Sequence, residues 1–323
     1  MSGYTVYILT QNIETKEKKL GCRQFSITEV DQDNLTEYRD LFGNLPVYKG
    51  EHVIERRHET VPELHDNVDD FAGLDRIARD SEDFMLLLRL FRAGDIVFVG
   101  QVIMTPEDGL ASQVPYPMCF SNYPSAFTYQ ILEGELSQFD VLFSEARKWH
   151  GWGSSWFGVA RNYFLWGGSK WFHPERANER VLDYMIALEA ALVPEDRFVS
   201  RRLCERAAAI LSQKGQEKLA ASRRMKDYYA VRSNLAHGDR ISNKQAEFLK
   251  TTHRLFEDDV RALLMETLKN CPAEDDARHE YLCQLFDITD LDMAKKIISD
   301  LGFIKNPEVW SRLLNQLSSK DPR

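Results

Sequence analysis

The segment Tyr228-Tyr229-Ala230-Val231-Arg232-Ser233-Asn234-Leu235-Ala236-His237-Gly238 gathers a permanent cation, two small polar side chains and an imidazole at one helix end. A guanidinium keeps its proton at any ordinary pH and presents a planar set of donors. An imidazole titrates near neutrality, so His237 can take or give a proton. On a helical wheel Met225, Tyr229, Arg232 and Ala236 fall on one stripe, which puts Arg232 where a leucine is expected. Burying a guanidinium unpaired is costly, so this placement implies either a carboxylate partner or a function at an opening in the core. His237 lies about 140° round the helix from Arg232, so the two do not share a face. The length of the arginine side chain, distortion before Gly238, or the packing of two copies of the helix would bring them together. Ser233 stands four residues before His237 and shares its face, which makes a hydroxyl–imidazole contact available. The negative end of the helix dipole favours a protonated His237. In the alternative, His237 only caps the helix and Arg232 is a structural ion pair.

The elements that must position these groups are helices. From about Trp156 onward apolar residues recur at three and four. Val181, Tyr184, Met185, Leu188, Ala191 and Leu192 form one stripe, ended by Pro194; Leu203, Ala207, Ile210 and Leu211 form the next, closed near Gly215. The motif helix runs from about Leu219 to His237 and stops at Gly238, a residue suited to the left-handed conformation past a helix end. Leu249, Thr252, Phe256, Val260, Leu263 and Leu264 mark a fourth helix, and shorter helical segments follow Cys271-Pro272. The first 150 residues or so differ in character. Tyr4–Leu9, Phe25–Thr28 and Asp95–Ile103 read as strands, Pro106, Pro115, Pro117 and Pro124 mark a loop-rich stretch before Phe127–Leu132, and periodicity alone does not decide Asp83–Phe91 between helix and strand.

The run Arg-Ser-Asn-Leu-Ala-His-Gly, preceded by Tyr-Tyr-Ala-Val and by the helices Val181–Leu192 and Ser200–Leu211, resembles the ApeA-like branch of the HEPN superfamily over roughly residues 157 to 268. The resemblance implies an all-helical domain that forms a homodimer, so that two arginine–histidine motifs face one cleft. It also implies metal-independent RNA cleavage in microbial defence or toxin biology, by attack of the ribose 2′-hydroxyl on the adjacent phosphorus. Carried onto this chain, His237 transfers protons, Arg232 holds the phosphoryl charge, Ser233 and Asn234 orient the phosphate or imidazole, and Glu189 pairs with Arg232 and positions it. A tyrosine that receives a nucleotide in some of these domains is replaced here by Asp239, so that regulation is not expected. The expected fold is α+β: residues 1–155 a strand-rich mixed domain of unrecognised role, 156–270 a HEPN-like bundle, and 271–323 a helical extension.

Bulk properties narrow the field. Apolar residues make up 43% of the 323-residue chain and charged residues 28%, which are globular values. No segment reads as membrane-spanning or as a leader, and the five scattered cysteines contain no C-x-x-C pair, so a cytoplasmic protein with reduced thiols is expected. The net charge of −9 means that any RNA contact must be local. Between Ser200 and Arg240 ten basic residues stand against four acidic ones, either as an RNA-facing surface or as solvated helix faces. Trp149, Trp152, Trp156, Trp166 and Trp171 crowd together, and packing at the junction of the two regions is the expected role. His58, Glu59, His65, Asp66, Asp69 and Asp70 are the one metal-like group, but their spacing fits no ligand pattern, and no cofactor or metal is expected. No cysteine or serine stands in a recognisable nucleophile context.

Overall fold

The computed structural model describes residues 4–21, 25–45, 47–58, 71–94, 96–105, 109–115, 129–169, 177–195 and 198–285. Within these, an antiparallel sheet is followed by a set of packed helices. The strands are β1 (Tyr4–Gln11), β2 (Ile13–Thr15), β3 (Lys19–Gly21), β4 (Phe25–Glu29), β5 (His52–His58), β6 (Val97–Thr105), β7 (Gly109–Pro115) and β8 (Tyr129–Ile131). The main sheet has the order β3-β4-β5-β1-β6-β7 with every pairing antiparallel, and β2 pairs β8 in parallel. Helices α1 (Leu35–Phe42), α2 (Phe71–Phe91) and α3 (Glu133–Ala146) accompany it.

As the central strand, β1 buries both faces, and strict alternation sorts its side chains. Val6 and Ile8 join the large core beneath α2 and α3, whereas Tyr7 and Leu9 join a smaller cluster with Phe42 of α1. The β1–β6 register slips between Leu9 and Thr10, so β6 carries one extra residue there. This bulge changes the parity of β6, which is why Val97 and Val99, then Val102 and Met104, all reach the α1 side. On the other side Phe25, Phe84 and Phe139 meet edge to face, with centroids 5.1 to 5.5 Å apart. The run Asp83–Phe91, undecided by periodicity, is the last part of α2. Its Phe84, Leu87 and Leu88 face the sheet and the helices together, so an all-round apolar pattern is what its position requires.

The helical part comprises α4 (Ser155–Ser169), α5 (Ala177–Leu192), α6 (Val199–Gln213), α7 (Lys218–Ala236), α8 (Asn243–Asn270) and α9 (Asp275–Gln284). Helix α5 is central and packs against α4, α6, α7 and α8. Its stripe Val181, Tyr184, Met185, Leu188, Ala191 and Leu192 is buried throughout. One core runs from Tyr4 on β1 to Leu282 on α9, crossing residue 155 without a break. The crossing is made at the end of α2, where the helix runs out of donors for its last carbonyls and Leu88 O accepts from Arg92 N just beyond it (3.2 Å). The Tyr129 hydroxyl donates to Leu88 O (2.5 Å), and the Arg261 guanidinium on α8 donates to Arg89 O (3.0 Å) and Leu90 O (2.9 Å). Arg89 reaches the opposite way, to Leu165 O on α4 (2.9 Å) and the Tyr184 hydroxyl on α5 (3.2 Å). It fits because α4 ends in Gly167-Gly168. A side chain at Gly168 would occupy the Arg89 guanidinium, and one at Gly167 the Tyr184 ring.

The tryptophan group divides. Trp156 is buried and Trp149 and Trp152 are packed on the core, whereas Trp166 is 43% exposed; Trp171 lies outside the described residues. Most of the metal-like group, Glu59 to Asp70, also lies outside them. His58 itself stacks on Tyr4 with centroids 4.3 Å apart. Burial, then the neighbouring Arg56 and Arg147, push its imidazole from 6.5 down to about 4. The unfolded chain therefore binds a proton that the folded chain refuses, and stability is lost as pH falls from about 6.5 towards 4. The Asp80 carboxylate, 3.9 Å from Nε2, opposes part of this, so denaturant titrations across that window should show a loss on the order of 1 kcal/mol attributable to this side chain. His58→Phe should flatten the profile; an unchanged slope would mean that other groups set it.

Candidate functional site

Helix α7 begins at Glu217, whose carboxylate accepts from the N–H groups of Leu219 (2.9 Å) and Ala220 (2.5 Å). It ends where the motif requires. His237 is the C-cap, Gly238 follows with φ +76°, Gly238 N donates to Leu235 O (3.2 Å) and Asp239 N to Asn234 O (2.8 Å). That pair of bonds is a Schellman closure, and the left-handed residue it needs is the glycine. The expected stop at Gly238 is present.

The wheel placed Arg232 in the middle of the buried stripe, and the structure moves it to the edge. Ala221, Met225, Tyr228 and Val231 are the buried line, while Ala236 is exposed and Tyr229 half-buried. The shift follows from packing: α7 rests against α5 and α6 together, so its buried face turns toward Tyr228, which stacks on Phe256 of α8 (3.9 Å). Arg232 retains 23% side-chain exposure, and its Nη2 donates to Glu189 Oε2 on α5 at 2.9 Å. The carboxylate partner read from the sequence is therefore in place. Arg232 also lies over the Tyr229 ring at 5.6 Å. Glu189 is shifted upward by burial, against which Arg232 acts only in part; Tyr229 is raised by burial and then by Glu189. Arg232 Nε and Glu189 Oε1 are buried with no hydrogen-bond partner among the described residues.

The remaining motif side chains are less constrained. Asn234 Nδ2 donates to Gln245 Oε1 (3.2 Å), and Gln245 belongs to the capping box that opens α8 with Ser242. His237 is exposed. Its backbone N–H donates to Ser233 O (3.1 Å), but no side-chain hydrogen bond joins Ser233 to His237. Sequence reasoning missed Gln245, for which the S-x-x-Q signature at Ser242 was a signal, and it placed Tyr229 on the stripe of Arg232 without assigning it a role. A cavity of about 280 Å³ is lined by Leu90, Lys214, Arg261 and Glu266 among others, and includes none of the motif residues.

The basic stretch is largely taken up by internal pairs. Arg201 binds Glu205, Arg202 and Arg206 bind Glu195, Lys214 binds Glu266, and Arg224 binds Asp259. None of the described helices is long and apolar enough to cross a membrane. No family model, curated protein or solved structure matches the chain.

If the guanidinium and carboxylate hold each other, a double-mutant cycle should detect it. Arg232→Met and Glu189→Gln should each cost about 1–3 kcal/mol in denaturant unfolding, and the double variant should cost less than their sum by about 1 kcal/mol. Strict additivity would mean that the pair is not coupled.

Proposed function

We propose that this chain is a metal-independent endoribonuclease of the HEPN type, acting as a homodimer on RNA. The observation that carries the reading is the Glu189–Arg232 pair, set one helical turn and a half from an exposed imidazole at the end of the same helix. Glu189 engages one terminal nitrogen of the guanidinium, and the part of that group still open to solvent is left as a donor for a phosphoryl oxygen. A guanidinium fixed in this way strengthens its bonds as negative charge develops on phosphorus. His237 takes the proton of the ribose 2′-hydroxyl as that oxygen attacks, and an imidazole protonates the departing 5′-oxygen. The products are a 2′,3′-cyclic phosphate and a 5′-hydroxyl. Asn234, tied to Gln245, and Ser233 border the site as orienting groups. His237 has no side-chain hydrogen-bond partner within its own chain among the described residues, and in the proposed homodimer the second copy of the motif faces it across one cleft. Microbial defence or toxin biology is the proposed setting, and the role of the sheet region is left open.

The same exposed His237 favours a second reading, a module that holds RNA without cutting it. Purified protein incubated with labelled RNA in chelator separates the two. Cleavage should persist without metal, leave cyclic-phosphate ends, and fall by about 10²-fold or more in both His237→Ala and Arg232→Ala. Equal cleavage by all three proteins would identify a contaminant and overturn the proposal, and binding without cleavage would select the second reading. Mass measurement in solution should give a dimer.

A further inference from the structure

Apart from the α7 motif residues, three side chains with complementary chemistry meet at the end of α9. His279 and Cys283 are four residues apart on that helix and share its face. Cys283 Sγ lies 3.6 Å from His279 Nε2, and His279 Nδ1 lies 3.3 Å from Glu195 Oε1, in the loop after α5. A thiol, an imidazole and a carboxylate thus stand in line, with the two imidazole nitrogens facing opposite partners. Nucleophile, base and orienting group have this order wherever a thiol is activated by a neighbouring base. Cys283 is exposed, unlike the buried Cys204 and Cys271.

The orienting carboxylate is held in place. Arg206 binds both Glu195 oxygens, at 2.7 and 2.8 Å, and Arg202 binds Oε1 at 2.7 Å. Arg206 is itself buried and donates to Leu192 O (2.7 Å) and to Leu282 O (3.1 Å), the residue before Cys283. One guanidinium therefore fixes the end of α5, the carboxylate and the end of α9 together. Burial would raise Glu195, but Arg206 and then Arg202 bring its carboxyl down to about 2, so it stays ionised. An ionised acceptor beside Nδ1 selects the tautomer that carries its proton there and leaves the Nε2 lone pair toward sulfur. The C-terminal end of α9 is the wrong end of a helix dipole for a thiolate. Arg202 and Arg206, paired to Glu195 on the far side of the imidazole, are the nearby positive charges.

We propose that Cys283 is a reactive thiol, activated by His279 and positioned through Glu195, that exchanges with small-molecule disulfides. In the exchange the Cys283 sulfur attacks one sulfur of the disulfide, a new S–S bond forms and the old one breaks. The thiol proton passes to His279 Nε2 and then to the departing thiolate, with no net oxidation of the pair. The product carries a mixed disulfide on the exposed end of α9. A divalent metal on the same three side chains is disfavoured, because both Glu195 oxygens already face guanidinium groups.

The test uses the full-length protein and cystamine, with mixed-disulfide formation at Cys283 followed by peptide mass spectrometry. Native Cys283 should react at least about tenfold faster than the same cysteine in the urea-unfolded chain at the same pH. His279 is a surface residue, so His279→Ala should keep the fold by circular dichroism while its native rate drops to that of the unfolded chain. For Glu195, whose charged partners are Arg202, Arg206 and His279, the readout is the pH midpoint of the rate, which should move in Glu195→Gln. A native rate no faster than the unfolded one, or an unchanged rate in His279→Ala, would overturn the proposal. Stoichiometric Zn²⁺ binding that blocks the reaction and disappears in Cys283→Ser would also overturn it and make the trio a metal site.

Discussion

The capping of the last turn of α2 is the interaction on which the arrangement of this molecule depends. A helix end packed between a sheet and a helical bundle leaves terminal carbonyl oxygens short of partners within the helix. Here the hydroxyl of Tyr129 and the guanidinium of Arg261 satisfy them, one from the sheet region and one from α8. Arg89, from the same turn, sends its own charge into the bundle against α4 and α5. These bonds fix the rotation of α2, and with it the face that α5 and α8 can use. Helix α7, which carries the motif, is placed against what remains of α5.

Charge in this protein is organised as local pairs rather than as a field. The ten basic residues between Ser200 and Arg240 read as a candidate surface for a polyanion, yet most of those with a defined partner are turned inward to a carboxylate. Buried or half-buried arginines are useful in this position because their planar donors satisfy carbonyls and carboxylates at once. The Arg232–Glu189 pair belongs to this pattern but differs in its exposure and in its unsatisfied Nε, and those two properties set it apart from Arg206.

How much of this was legible in the sequence depended on whether the signal was local. The stop at Gly238 is a property of one helix end and could be read directly, as could the alternation in β1 and the stripe of α5. Glu189 as the partner of Arg232 required a resemblance, because the two lie on different helices. The position of Arg232 at the edge of the buried face was not legible, since it follows from α7 resting on two neighbours rather than one. The group at Glu195, His279 and Cys283 was missed for the same reason: the i,i+4 pair on α9 is visible, but its carboxylate comes from a distant loop fixed by Arg206. Asp83–Phe91 stayed ambiguous because a helix buried on all sides loses the periodicity that identifies helices.

The two glycines that end α4 bear on what keeps its last turn helical. Each lowers the intrinsic preference for helix by about 1 kcal/mol relative to alanine, and each is placed against a side chain from another element, Tyr184 and Arg89. The last turn of α4 consequently has little reason to form alone. Its helicity is therefore held by packing on α5 and α2 rather than by its own preference, and the close approach of Arg89 and Tyr184 is open only to glycine.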